Sequence, residues 1–106
     1  LAASPSHRFE VHPDRDRVFI AAKGELDVAS APGLRAELQD LRASGWTRIV
    51  ADLSGVTFMD TTAVHVLLEA ADSAASEGWE LRMVDGSPAV RRILGLTGVA
   101  DRIERL

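Results

Sequence analysis

Apolar and polar positions change rhythm several times along the chain. Phe9 and Val11 alternate with Glu10 and His12, and this period of two predicts a weak strand. Val18 to Ala22 predicts a second. Between them, His12-Pro13-Asp14-Arg15-Asp16-Arg17 reads as a turn, since proline pre-sets one backbone angle and short acids favour turn geometry. A hairpin follows. Lys23-Gly24-Glu25-Leu26-Asp27 is predicted to end its second strand.

The rhythm then becomes helical. Ser30 is placed to cap a helix, and Pro32 is tolerated only in its first turn. Leu34, Leu38 and Leu41 recur at helical spacing, with Arg35, Gln39 and Arg42 on another face. Ser44-Gly45 stops this helix. Ile49 to Leu53 predicts a buried strand, and Ser54-Gly55 a short exit loop. From Thr61 to about Glu77 the pattern is helical again, with Val64, Leu67, Leu68, Ala71 and Ala75 as its apolar stripe. His65, Glu69, Asp72 and Ser76 lie elsewhere on it, and Gly78 ends it. Trp79 to Val84 predicts a strand. Ser87-Pro88 opens a third helix, Val90, Ile93 and Leu94 inward and Arg91 and Arg92 outward, closed by Gly98. Ile103 to Leu106 reads as a short final strand or a tail.

The order β-β-α-β-α-β-α predicts an α/β fold. Strands separated by helices become parallel neighbours through right-handed crossovers. The expected architecture is a single small layer: a mixed, mostly parallel sheet with an N-terminal hairpin and helices on one face. Residues 1–7 are expected to form a disordered N-terminal end and residues 8–106 one domain.

Composition narrows the function. A chain of 106 residues, 46% apolar and 26% charged, has the balance of one globular domain with a core of its own. A net charge of −4 argues against non-specific nucleic-acid binding, which needs a basic face against phosphates. The absence of cysteine excludes disulfides, thiolate metal sites and a cysteine nucleophile, and fits a reducing compartment. No apolar run approaches the roughly 20 residues of a membrane span. LAASPSHR does not carry the basic-then-apolar pattern of a signal segment.

In parallel α/β sheets, function tends to sit beyond the C-terminal strand ends. Gly24 to Ser30, Gly55 to Thr62 and Asp85 to Ser87 should converge there. Asp60, Thr61 and Thr62 stand at a helix start on that rim. One reading of them is capping, in which Asp or Thr side chains accept from free backbone N–H groups. The other is a phosphate acceptor, since a helix N-terminus suits negative charge. Two threonines beside an aspartate are more than one cap needs.

The chain resembles the anti-sigma factor antagonists, bacterial STAS-domain proteins, over nearly its whole length. The resemblance is carried by Gly24-Glu25-Leu26-Asp27, the Ala31-Pro32 helix start, Ile49-Val50-Ala51-Asp52-Leu53-Ser54-Gly55-Val56, Phe58-Met59-Asp60-Thr61-Thr62, Ser87-Pro88-Ala89-Val90-Arg91-Arg92 and Leu96-Thr97-Gly98, in this order and spacing. It implies the STAS fold and a non-enzymatic, cytoplasmic role in transcription regulation by partner switching. The unphosphorylated antagonist binds a kinase-type anti-sigma factor and frees sigma. That partner, bringing ATP and magnesium, phosphorylates the hydroxyl after the motif aspartate, and a phosphatase reverses this. The modified position maps to Thr61. The partner-binding surface maps to Glu25, Asp27, Asp60, Thr61, Thr62 and Ala63, supported by Val56, Met59 and Val64. The sequence departs from the family's usual Asp-Ser-Ser-Gly or Asp-Ser-Thr-Gly at two positions: Thr61 replaces serine and Ala63 replaces glycine. A threonine methyl changes rotamer preference, and glycine tolerates backbone shapes that alanine resists. The resemblance therefore leaves open a non-phosphorylatable STAS module, either an antagonist that always binds or a scaffold or sensor in a larger signalling assembly.

Other constellations carry less. Thr61 and His65 are spaced to share a helix face, and with Asp60 they sketch a hydrolase triad. Adjacency in sequence does not place an acid behind the imidazole, however. His65 also suits pairing with a phosphate on Thr61. His7, His12 and Asp14 suggest a metal site, against which stands their setting in a prefix and a turn. Asp14-Arg15-Asp16-Arg17 reads as a solvated tip. Gly24 and Gly33 fit no nucleotide fingerprint. Arg91 and Arg92 read as a solvated face able to help dock an acidic partner. Phe58 and Met59 read as loop-to-core packing, and Trp46 and Trp79 as packing at strand starts opposite the rim.

Overall fold

A computed structural model describes residues 8–106. The expected N-terminal end, residues 1–7, and His7 of the suggested metal trio lie outside the described residues. Strand β1 (Phe9–Asp14) turns through Arg15 and Asp16 into β2 (Arg17–Leu26). Then follow α1 (Ala31–Ala43), β3 (Arg48–Met59), α2 (Thr61–Glu77), β4 (Glu80–Val84), α3 (Pro88–Leu96), α4 (Val99–Arg102) and β5 (Glu104–Arg105). The strands form one sheet in the order β1-β2-β3-β4-β5, antiparallel only between β1 and β2.

The hairpin turn is tighter than the sequence predicts. His12, Pro13 and Asp14 pair with Phe19, Val18 and Arg17, so only Arg15 and Asp16 remain to turn the chain, and Arg15 takes φ 62°. Pro13 is accommodated because β1 is an edge strand, where one missing ladder donor faces solvent.

Strand alternation sorts the sheet into two faces. Val18, Ile20 and Ala22 of β2, Ile49, Ala51 and Leu53 of β3, and Leu81 and Met83 of β4 are buried together. The helices pack on that face and on one another: α1 touches β2 and α2, α2 touches β4, and α3 touches β3 and α4. The opposite face carries the in-register row Phe19, Val50, Arg82 and Glu104. There Arg48 pairs with Asp16 (2.6 Å) and Glu80 (3.5 Å), and Arg82 with Glu80 (3.3 Å) and Glu104 (3.6 Å). Val50 is 2% exposed beneath these long side chains, whose stems cover apolar surface.

The two longest strands run past their predicted ends. Lys23 pairs with Gly55, Gly24 with Val56, Glu25 with Phe58 and Leu26 with Met59, with register shifts after Ala21 and after Gly24. The polar and glycine positions that read as loops are a bulged two-strand extension of the sheet. Gly24 takes φ 79° there, a conformation that suits glycine.

The stripe of α2 is rotated from its prediction. Ala63, Val64, Val66, Leu67, Ala70 and Ala71 are buried, Leu68 is half-buried and Ala75 is exposed. Two tight turns of alanine and valine let this helix sink between sheet and neighbours, widening its buried face beyond a narrow seam. In α3, Val90 and Leu94 are buried, Ile93 is half-buried, and Arg91 and Arg92 are exposed. Gly98 (φ 85°) then admits the short α4, which the sequence pattern did not predict. Trp79 closes the far end, buried with its Nε1–H donating to Ser73 Oγ at 3.1 Å and the Arg42 guanidinium 5.0 Å above its ring.

Candidate functional site

The rim is built where β2 and β3 end side by side. Leu26 and Met59 are neighbours in register and both point into the core. Directly beyond them the amide of Asp60 donates to the Leu26 carbonyl at 3.1 Å. Asp60 is extended (φ −111°, ψ −176°), and its Oδ1 accepts from the amides of Thr62 (2.9 Å) and Ala63 (3.3 Å). The cap of α2 is therefore the aspartate, not a threonine. Its carboxylate faces the helix amides, not the His65 ring, so no triad is assembled.

Thr61 is the first residue of α2 and is exposed, and Thr62 is half-buried. Among the described residues no hydrogen bond engages the Thr61 hydroxyl. A neutral alcohol thus stands uncommitted at the positive end of a helix of 17 residues. His65 is exposed one turn further along.

Ala63 is 0% exposed, so its methyl belongs to the core and not to the surface assigned from the family motif. It occupies ordinary helical backbone, where no glycine is needed. Met59 and Val64 are buried beneath the rim and support it, as does Val56. Phe58 departs from its sequence reading: it is not packed into the core but 52% exposed.

The β2–α1 turn forms the other wall. The Asp27 Oδ1 accepts from the amides of Ala29 (3.0 Å) and Ser30 (3.2 Å) and from Ser30 Oγ (3.3 Å). Loss of solvent pushes the Asp27 carboxyl up, but these hydrogen bonds and the Arg8 charge outweigh it, holding the group below its ordinary value. Ser30 does not cap α1 with its side chain. Its hydroxyl donates to the Glu25 carbonyl at 2.7 Å and accepts from the Asp27 amide at 3.0 Å. Asp27 is thus half-buried and occupied within the turn, whereas Glu25 is exposed. Arg8 donates to the Glu25 carbonyl (3.2 Å) and lies 3.9 Å from its carboxylate.

The structure therefore brings Glu25, Asp27, Asp60, Thr61 and Thr62 onto one rim. Sequence reasoning missed Arg8, Val28 and Phe58 there. The signal for Phe58 was the strand alternation that turns Met59 inward. Val28, 71% exposed, sits in the turn that Asp27 shapes.

Asp85-Gly86-Ser87 closes the rim from β4. A Cβ on Gly86 would lie 2.8 Å from the Leu53 carbonyl oxygen, so glycine allows this loop to lie against β3. Ser87 Oγ accepts from the Val90 amide at 3.2 Å and caps α3. Among the described residues no group of three or more His, Asp or Glu side chains is placed to hold a metal ion. No helix there is long and apolar enough to cross a membrane.

Comparison with known proteins places this geometry among relatives. The STAS domain family model matches residues 8–106. The chain is similar to the anti-sigma-B factor antagonist of Listeria monocytogenes, 30% identical over 91 residues that cover 86% of this chain and 80% of that protein. Its fold is similar to the crystal structure of an anti-sigma factor antagonist from Mycobacterium paratuberculosis, with a TM-score of 0.82, 25% identity, and coverage of 90% of this chain and 80% of that one. It is similar too to the Bacillus cell fate determinant SpoIIAA in its phosphorylated form, with a TM-score of 0.71, 22% identity, and coverage of 92% and 90%.

Proposed function

The chain belongs to the STAS domain family, and on that premise we propose that it is an anti-sigma factor antagonist switched by phosphorylation of Thr61. It docks through the rim of Glu25, Asp27, Asp60, Thr61 and Thr62 onto a kinase-type anti-sigma factor, and so releases a sigma factor. The partner supplies ATP and magnesium, and a phosphatase resets the switch. This protein performs no catalysis; it offers an alcohol.

The observation that carries the reading is the exposed, uncommitted Thr61 hydroxyl directly after an aspartate cap. Phosphorylation there adds about −1.5 to −2 charges and three acceptor oxygens. The helix start tolerates that charge, so the fold persists. A partner docked over the rim does not tolerate it, since an unpaired charge buried at an interface costs several kcal/mol. The off-rate rises and the complex separates. The reading is supported by the existence of a protein of the same fold, SpoIIAA, in a phosphorylated form.

Both family departures are compatible with this chemistry. Threonine keeps the hydroxyl, and the Ala63 methyl faces the core, leaving the approach to Thr61 unobstructed. The test is incubation with the host's kinase-type anti-sigma factors and ATP, followed by intact mass and site mapping. The expected result is a gain of one phosphoryl group at Thr61. A stable complex that never gains it would replace the switch with a constitutively binding module, and modification at Thr62 would refute the site.

A further inference from the structure

The chain has three phenylalanines and two tryptophans, and four of these five are accounted for by the fold. Phe9 and Trp79 are 7% and 8% exposed. Phe19 lies under the Arg17 guanidinium, 5.0 Å from its ring centroid, and Trp46 packs against the core. Phe58 is 52% exposed, with neither kind of cover among the described residues.

Its placement is specific. Phe58 pairs in register with Glu25, while Leu26 and Met59, the next pair, point into the core. Alternation therefore puts Phe58 and Glu25 on the helix-free side of the β2–β3 extension. Thr61 begins α2 on the helix side, with Asp60 and its bond to the Leu26 carbonyl at the crest between them. Val28, in the turn after Leu26, adds a second exposed apolar side chain at the same crest. Of the carboxylates nearby in the chain, Asp27 and Asp60 accept from backbone amides, and Glu25 is exposed beside Arg8.

We propose that Phe58, together with Val28 of the β2–α1 turn, is the apolar anchor by which this rim binds the protein that modifies Thr61. That protein would present an apolar pocket rimmed by cationic side chains. The inference rests on the reading of Thr61 as a docking and modification site and extends that footprint over the crest onto the helix-free side. Three features favour this occupant. The patch is continuous in the chain with Thr61. The register neighbour of Phe58, Glu25, is exposed and among the described residues faces only Arg8 at 3.9 Å, so a cationic side chain of the partner can pair with it. Phe58 is held in a paired strand, so little ordering entropy is lost on docking, and buried aromatic anchors dominate interface energetics.

Calorimetric titration of the host's kinase-type anti-sigma factor, nucleotide-bound, with the full chain and its variants tests the proposal. Phe58→Ala should weaken Kd about 30-fold or more, Phe58→Leu less, and Val28→Ser several-fold. Leu106→Ser, at an exposed position on the side of β4 away from β3, should leave Kd within about twofold. Unchanged melting temperature and amide spectra exclude unfolding, and the residual phosphorylation of Thr61 in Phe58→Ala should show a raised KM with kcat retained. Wild-type affinity in Phe58→Ala and Phe58→Leu would overturn the anchor while leaving the Thr61 reading intact. Loss of self-association in place of partner binding, seen by sedimentation, would assign the patch to a second copy and overturn it too. Failure of the wild type to bind any such factor would sink both readings.

Discussion

The Asp60 amide and the Leu26 carbonyl meet at 3.1 Å, and this bond locks the start of α2 to the end of β2. Without it the two halves of the rim, one carrying Thr61 and the other Glu25 and Asp27, would be joined only through the β2–β3 strand pairs behind them. Asp60 serves both halves, with its amide toward the strand and its carboxylate toward the helix.

Asp60→Ala removes the cap and leaves the amides of Thr62 and Ala63 without their shared acceptor. Loss of such a cap costs about 1 kcal/mol, or a fall in melting temperature of roughly 4–8 °C for a domain near this size. Thermal unfolding followed by circular dichroism checks this. Asp60→Asn retains a side-chain oxygen and should lose less.

Ala63→Gly restores the residue usual in the family and should nonetheless destabilise the fold. Glycine in a helix costs up to about 1 kcal/mol relative to alanine, and the lost buried methyl adds about 0.8 kcal/mol. Chemical denaturation should show a loss of about 1–2 kcal/mol, the sum of those two effects. Partner affinity should hold, because the methyl lies in the core.

Much of this fold was legible from periodicity. Leu34, Leu38 and Leu41 announced α1, and alternation through Val18 and Ile20 announced β2. The extension of β2 and β3 was not legible, because Gly24, Ser54 and Gly55 carry loop signals, and Gly24 and Gly55 pair only across register shifts. The site was legible as a set of residue types at a helix start. Which hydroxyl is free and which acid caps was not, since Asp60, Thr61 and Thr62 are all good capping residues and only geometry chooses Asp60. Ser30 misled for the same reason, as its hydroxyl bonds backward to Glu25 and Asp27 in place of capping α1.

Gly86→Ala should destabilise the rim without any change in its charge. The added Cβ would meet the Leu53 carbonyl oxygen at 2.8 Å and the Ser54 Cα at 2.9 Å. These are backbone atoms that cannot rotate away, so the loop must shift. A cost of about 1–3 kcal/mol is expected in denaturant unfolding, with amide shifts concentrated at residues 53–55 and 85–87.

The turn around Asp27 should make stability depend on acid pH. Its carboxyl is held below its ordinary value in the folded chain, where burial is outweighed by the Ser30 and Ala29 hydrogen bonds. A depressed folded pKa means that the ionised turn contributes stability above the unfolded value, near 3.9. That contribution is lost as pH falls through the lower folded value. Melting temperatures of wild type and Asp27→Ala should therefore differ by a constant amount from pH 7 down to about 5 and converge below about 4. A gap independent of pH would assign the turn's stability to groups other than this carboxylate.

Thr61 supplies the sharpest contrast between structure and switching. Its side chain is exposed and makes no hydrogen bond among the described residues, so Thr61→Ala and Thr61→Glu should both fold with little change in melting temperature. Glutamate, as a first-turn acid, should if anything raise it by a few tenths of a kcal/mol. Binding should separate them. Thr61→Ala should bind the anti-sigma factor like wild type and resist release on addition of ATP. Thr61→Glu should bind weakly, by about tenfold or more, because it places a charge within the docked surface. Thr62→Ala should still gain one phosphoryl group when ATP is added, since the proposed acceptor is its neighbour Thr61. Equal affinity of the alanine and glutamate variants, measured under one salt condition, would place Thr61 outside the interface.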